Sequence, residues 1–223
     1  KVYVNGYTTK KLLKYEKWVE LAYVYETLIG WDLVPYGNLA IPKAENGHLA
    51  VRKNQLDMTE AAENTADLYD WLAAQDIPFF YVQAPDKICK YGENMFSDIY
   101  LENDYSNKNA DALIADLTAH GIPVLDLREK TGKTGEEYLD LFYKTDHHWT
   151  PQTGIWAAGQ IAEYLNEQYG FTMDLSLFDL NHYQAETYPD MFLGSTGKKA
   201  SLVKTEAEDF DLLLPAFETK LHV

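Results

Sequence analysis

A helix followed by a short apolar run occurs twice in this 223-residue chain, 45 residues apart. "MTEAAENTADLYDWLAAQ" places Met58, Ala61, Ala62, Thr65, Leu68 and Leu72 on one helical face. It leads into "DIPFFYVQAP", an apolar stretch bounded by Pro78 and Pro85. "NADALIADLTAH" is again helical and leads into "GIPVLDLRE", so that Leu68, Leu72, Ile77 and Pro78 align with Leu113, Leu117, Ile122 and Pro123. Apolar runs that do not alternate read as strands buried on both faces. Two helix–strand units in succession join such strands by right-handed crossovers into a parallel sheet. The pattern predicts a three-layer α/β fold with a mostly parallel central sheet. Strands near Phe79–Gln83 and Val124–Leu127 should be neighbours or near neighbours, and the helices ending near Gln75 and Ala119 should pack on the sheet.

Elsewhere the signals vary in strength. "LLKYEKWVELAYVYETLIG" has helical spacing at Tyr15, Trp18, Val19, Ala22, Tyr25 and Ile29, with Gly30 as its stop. Trp31 to Arg52 is broken by Pro, Gly and Asn into short strands and turns. "TPQTGIWAAGQIAEYLNEQYG" is a third helix, with Thr150 as N-cap, Pro151 at its first position, a buried stripe at Ile155, Ala158, Ala162 and Leu165, and Gly170 at its end. Beyond it the sequence reads as irregular, with a strand at "FDLLLPAF". No stretch resembles a flexible linker, so residues 1–223 read as one domain.

Composition narrows the partners. The net charge is −16 and no block of Lys and Arg interrupts it, which argues against nucleic acid and anionic membrane. No apolar run is long enough to span a bilayer. The 17 tyrosines fit a carbohydrate-binding surface or an aromatic core equally. A single cysteine, Cys89, rules out an intramolecular disulfide and reads as a buried structural thiol. The chain opens on Lys, and a leader removed ahead of it would leave no trace in the sequence.

"YKTDHHWTPQTG", Tyr143 to Gly154, concentrates the chemistry. In an extended segment, Asp146 and His148 point to one side and His147 to the other. A carboxylate beside an imidazole fixes its tautomer and stabilises the imidazolium during proton transfer. The plainer alternative is a polar lead-in to the helix at Thr150. Adjacent histidines on an extended segment diverge and no HExxH or CxxC accompanies them, so neither a metal nor a cofactor is expected. His48, His120 and His182 stand alone. Lys87, in "APDKI", follows a predicted strand end, where it either meets an anionic ligand or oxyanion or is simply solvated.

"YKTDHHWTPQTG" resembles the run that gives the DHHW family its name, a family that looks like a branch of the SGNH-hydrolase-like superfamily related to proteins that O-acetylate alginate and other cell-surface polysaccharides. The segments "IPFFYVQAPDKI" and "FLGSTGKK" extend the resemblance over most of the chain. It implies Asp146 as the acid that orients His148, and His148 as the general base for a serine. Trp149 completes the motif, and Trp149, Lys87 and Ser195 are the implied substrate-side residues. The family's serine lies in a Gly-Asp-Ser-like motif after the Asp–His element. Neither Gly-Asp-Ser nor Arg-Asp-Ser occurs here, and of Ser97, Ser106, Ser176, Ser195 and Ser201 only Ser195 sits among glycines. The nucleophile is therefore expected on a C-terminal part beyond Val223, with the SGNH-like domain incomplete without it. The implied activity is acetyl transfer or acetyl-ester hydrolysis on a cell-surface polysaccharide, placed outside the cell. A non-catalytic glycan-binding or assembly module on the same fold is the alternative.

Overall fold

The computed structural model describes residues 15–29, 34–36, 39–44, 46–200 and 205–219. In chain order its main elements are α1 (Tyr15–Leu28), β1 (Val34–Tyr36), β2 (Leu39–Ile41), α2 (Thr59–Ala73), β3 (Tyr81–Gln83), α3 (Ser106–Ala119), β4 (Val124–Asp126), α4 (Pro151–Tyr169), β5 (Tyr183–Phe192), α5 (Ser195–Ala200) and β6 (Glu208–Pro215). β1 and β2 form a small antiparallel pair, and the expected stop at Gly30 lies outside the described residues. α1 forms where the spacing predicts, but Trp18, Leu21 and Tyr25 on it are exposed.

The two repeated units build the centre. β3 and β4 pair in parallel, with Tyr81 opposite Val124 and Gln83 opposite Asp126. Side chains alternate across this pair, as a pleated strand requires. On one face Tyr81 and Val124 pack against Ala62 of α2 and Leu117 of α3. On the other, Phe80, Val82 and Leu125 pack against Trp156, Ala157, Ile161 and Tyr164 of α4. Helices thus cover both faces of a parallel pair. The wide, mostly parallel sheet of the sequence reading is not seen among the described residues, where every sheet has two strands.

Two helix faces are rotated from their predicted phase. In α2 the inward residues are Ala62, Ala66 and Tyr69, because the Tyr69 ring meets Phe79, with centroids 6.1 Å apart, and this turns Leu68 outward. In α4 the sheet-facing residues are Trp156, Ala157, Ile161 and Tyr164; of the predicted 155, 158, 162 and 165, only Ala162 is fully buried. The predicted caps hold. Thr150 Oγ1 accepts the Thr153 N–H, and Gly170, at φ 69°, ends the helix in the left-handed conformation that glycine adopts without a Cβ clash.

The stretch after α4, read as irregular, is instead ordered by β5 and β6, which pair antiparallel from Tyr183–Pro215 to Phe192–Glu208 across a register shift. β6 takes up the strand expected at "FDLLLPAF", whereas its partner β5 contains Pro189 and shows no clean alternation to mark it. Cys89 is buried beside Tyr138 and Phe142, where burial pushes its thiol pKa up.

The unequal burial of the two repeats is testable. Leu117 is fully buried, whereas its sequence equivalent Leu72 is only half-buried and Leu68 is 45% exposed. Leu117→Ala is expected to lower stability by about 2–5 kcal/mol, and Leu68→Ala by no more than ~0.5 kcal/mol. Urea unfolding midpoints of the two variants measure the difference.

Candidate active site

α4 runs antiparallel to β3, since the Tyr169 hydroxyl near its C-terminus donates to the Phe79 carbonyl just before that strand at 3.0 Å. Its N-terminus, and the Asp146–Trp149 segment leading into it, therefore lie toward the carboxyl ends of the parallel pair. Open α/β sheets form their ligand crevice at that end.

The segment is held from below by Lys87. This side chain is buried, and its ammonium donates to the carbonyls of Leu49, Tyr143 and Lys144 at 2.8, 2.6 and 3.1 Å. Burial pushes its pKa down to about 7, while the carboxylates of Glu208, Asp146 and Asp86 pull the other way. Glu208, at the start of β6, holds the segment from the side. Its carboxylate accepts the N–H groups of Lys144 and Thr145 at 2.7 Å each, and the Thr145 hydroxyl as well. The Thr145 hydroxyl in turn accepts the Gly194 N–H at 2.9 Å, and the Thr145 carbonyl accepts the Gly197 N–H at 2.8 Å.

The glycines of "LGSTGKK" allow this approach. A Cβ at Gly194 would lie 2.4 Å from the Asp146 Cβ and 2.6 Å from the Thr145 carbonyl oxygen. One at Gly197 would lie 2.8 Å from the Thr145 Cβ. The small residues admit the neighbouring backbone.

Asp146 is the centre of the cluster, with its carboxylate 6% exposed. Its Oδ2 accepts the Ser195 N–H at 2.6 Å, and its Oδ1 accepts the His147 N–H at 2.6 Å. The Nδ1 atoms of His147 and His148 both lie 2.8 Å from Oδ1. Burial by itself would raise the Asp146 pKa. The Ser195 N–H, the His148 ring and the N–H groups of His147 and His148 outweigh that and hold it at about 2. An ionised carboxylate only accepts, so the Nδ1 of His148 donates to it as an N–H. The His148 side chain is 69% exposed and open to a reactant.

The two-residue spacing brings Asp146 and His148 together, but His147 does not face elsewhere. The segment bends, and the two imidazoles lie with centroids 3.9 Å apart over the same carboxylate. Trp149 is half-buried between the cluster around Tyr138 and the one under α4, and its backbone pairs with Phe142. Ser195 is exposed beside Asp146 at the start of α5. Ser106 and Ser176 bond their own neighbours Asp104 and Asp174, and Ser201 lies outside the described residues. Sequence reasoning missed Thr145, Gly194, Gly197 and Glu208. Only the glycines around Ser195 in "FLGSTGKK" carried any signal, and nothing in the sequence pointed from them to Asp146.

Gly194→Ala is expected to cost roughly 1–3 kcal/mol of stability, because the added methyl overlaps Asp146; a smaller change in a thermal or urea melt would mean the contact is slack. The pH dependence has a definite sign. Asp146 has a folded pKa near 2, below its ordinary value of 3.8, so its contribution is fully present above about pH 4 and is lost as pH falls through 2. That loss is expected to be about 2 kcal/mol and to be absent from the acid unfolding curve of Asp146→Asn.

The model of the family described as SGNH hydrolase-like domain, acetyltransferase AlgX, matches residues 45–195, which include the whole Asp146–Trp149 element and reach Ser195. No curated protein sequence matches the chain. Among solved structures, Bacillus cereus PatB1 superposes with a TM-score of 0.62 at 19% identity, over 78% of this chain and 58% of its own. A DHHW family protein from Eubacterium siraeum gives a TM-score of 0.57 at 16% identity, over 82% and 56%. The O-acetyltransferase domain of Pseudomonas putida AlgJ gives 0.54 at 16%, over 78% and 66%. This chain spans less than two thirds of the length of each, and at these identities the likeness is one of fold. With the family model covering more than half of its residues, the chain belongs to the SGNH hydrolase-like family of the acetyltransferase AlgX.

Proposed function

We propose that this chain carries the acid–base half of an Asp–His–Ser centre that transfers or hydrolyses acetyl esters on a cell-surface polysaccharide, outside the cell. The observation that carries the reading is the Asp146–His148 pair. The carboxylate is held ionised by a backbone N–H from a distant segment, and the imidazole is fixed on it through Nδ1 with Nε2 left as base. The relatives' names supply the chemistry: an acetyltransferase in the family model and an O-acetyltransferase domain in AlgJ.

In this reading a serine hydroxyl attacks the acetyl carbonyl while His148 Nε2 takes its proton. Asp146 stabilises the imidazolium, and the proton returns to the leaving oxygen. A sugar hydroxyl, or water, then attacks the acyl-serine by the same route in reverse. The nucleophile comes from outside residues 1–223. The parallel pair with helices on both faces is the centre of a three-layer domain completed by that further chain. Ser195 and Trp149 border the reacting groups on the substrate side. Lys87 acts from beneath by fixing the backbone of Tyr143 and Lys144. Among the described residues no helix is long and apolar enough to cross a membrane.

A glycan-binding module without turnover is the second reading. It is favoured by the absence, among the described residues, of a serine hydroxyl hydrogen-bonded to His148.

An acetyl-ester reporter substrate separates the two. Residues 1–223 alone are expected to show little or no turnover, because members of such a triad act as a unit. A longer protein containing them is expected to turn over, to lose at least 100-fold on His148→Ala by the scale of general-base catalysis, and to ignore Ser195→Ala. Turnover by residues 1–223 that needs both His148 and Ser195 would make Ser195 the nucleophile. No turnover in either form, with glycan binding retained, would leave the binding module.

A further inference from the structure

The proton relay uses one imidazole, yet two lie on Asp146. The Nδ1 atoms of His147 and His148 both lie 2.8 Å from the same carboxylate oxygen. The three donor atoms lie within 4.8 Å of one another. Both rings are more than half exposed, at 57% and 69% of their side-chain area, while the carboxylate beneath them is buried. Acyl transfer gives His147 no task. A hydrogen-bonding role would be served by either ring alone, and Oδ1 already accepts the His147 N–H at 2.6 Å.

From this juxtaposition of Asp146 Oδ1, His147 Nδ1 and His148 Nδ1 we infer a binding site for a borderline divalent first-row ion, of which Zn2+ is the representative. Two imidazole nitrogens and one carboxylate oxygen are the donor set such ions prefer, with the open side left to water. Zn–N and Zn–O bonds of about 2.0–2.2 Å set tetrahedral ligand atoms about 3.3–3.6 Å apart, so the rings need to open by roughly half an ångström or slightly more from their 2.8 Å approach to Oδ1. A hard ion such as Mg2+, which demands six oxygens, does not fit a set with two nitrogens.

The site has a consequence for the proposed activity, and this part rests on that reading. A metal on His148 Nδ1 takes the lone pair there and displaces the proton, which moves to Nε2. The ring stays neutral, no proton is lost overall, and the nitrogen that should act as base becomes an N–H. Metal binding therefore disables the relay, and the site is an inhibitory one.

The test needs no turnover. Residues 1–223, stripped with a chelator, are titrated with ZnCl2 and separately with MgCl2 by calorimetry. Saturable 1:1 binding of Zn2+ and none of Mg2+ is expected. Affinity should fall at least tenfold in His147→Ala, and likewise in Asp146→Asn, but stay unchanged in His120→Ala, an exposed histidine elsewhere. Nitrogen-15 NMR of the imidazoles should show His148 passing from the Nδ1–H to the Nε2–H tautomer as Zn2+ is added. Absence of 1:1 binding, or binding with full affinity in a folded His147→Ala variant, would overturn the inference. So would saturation that leaves the His148 tautomer unchanged. Because binding and tautomer are read directly, none of these outcomes depends on whether the acyl-transfer reading holds.

Discussion

The Lys87 ammonium, bonded to three backbone carbonyls, ties three parts of the chain together at one point. Leu49 forms an antiparallel bridge with Lys43, Lys87 follows β3, and Tyr143 and Lys144 lead into the Asp–His element. The opposing influences are clear. Burial pushes the amine toward its neutral form, with a pKa near 7. Three carbonyl acceptors match the three N–H groups of an ammonium, and a neutral amine would leave one of them unmet. Glu208 on β6 and Asp146 in the Asp–His element add their negative charge. A charge so buried is tolerated only where it is paired and fully hydrogen-bonded, and its loss would leave carbonyls without donors beneath the site. His48, buried nearby, illustrates the other solution. Neither of its ring nitrogens has a hydrogen-bond partner, and burial together with Lys87 holds its pKa at about 3, so it stays neutral.

Above Lys87, the Asp146 carboxylate and Thr145 are held largely by backbone N–H groups from a distant segment. Ser195 supplies an N–H to Asp146, and Gly194 and Gly197 supply N–H groups to Thr145. Glu208 braces the same residue from β6. In the proposed reaction these backbone groups would meet the His148 imidazolium with the surroundings of the carboxylate already arranged. That is the economy of a preorganised site, where the reorganisation cost is met in folding rather than in each turnover. Folding and site construction are therefore coupled: the β5–β6 hairpin carries Glu208, and the "LGSTGKK" turn leaving β5 carries the N–H that holds Asp146 ionised.

Much of the scaffold was legible because it is local. The two helix–strand units gave the parallel pair, and Thr150-Pro151 and Gly170 marked the ends of α4. The phase of the helix faces was less legible, since Tyr69 and Trp156 are large enough to draw the packed stripe toward themselves. β6 was legible at "FDLLLPAF", but its partner β5 was not, because a strand is defined by what pairs with it.

The sequence by itself determined which chemistry is present. It placed a carboxylate two residues before an imidazole, ahead of a well-capped helix, in a run that marks the family. The tertiary structure decided what surrounds them. It bent the segment so that His147 shares Asp146 with His148, brought Gly194 and Ser195 across 49 residues onto Thr145 and Asp146, and set Glu208 on Thr145 from 63 residues away. Spacing along a strand or helix fixes only the direction of a side chain relative to its own backbone. The environment that sets a carboxylate's charge, or gives a second imidazole the same partner, depends on which distant backbone closes over it. Here that closure is possible only because residues 194 and 197 have no side chain to stand in the way.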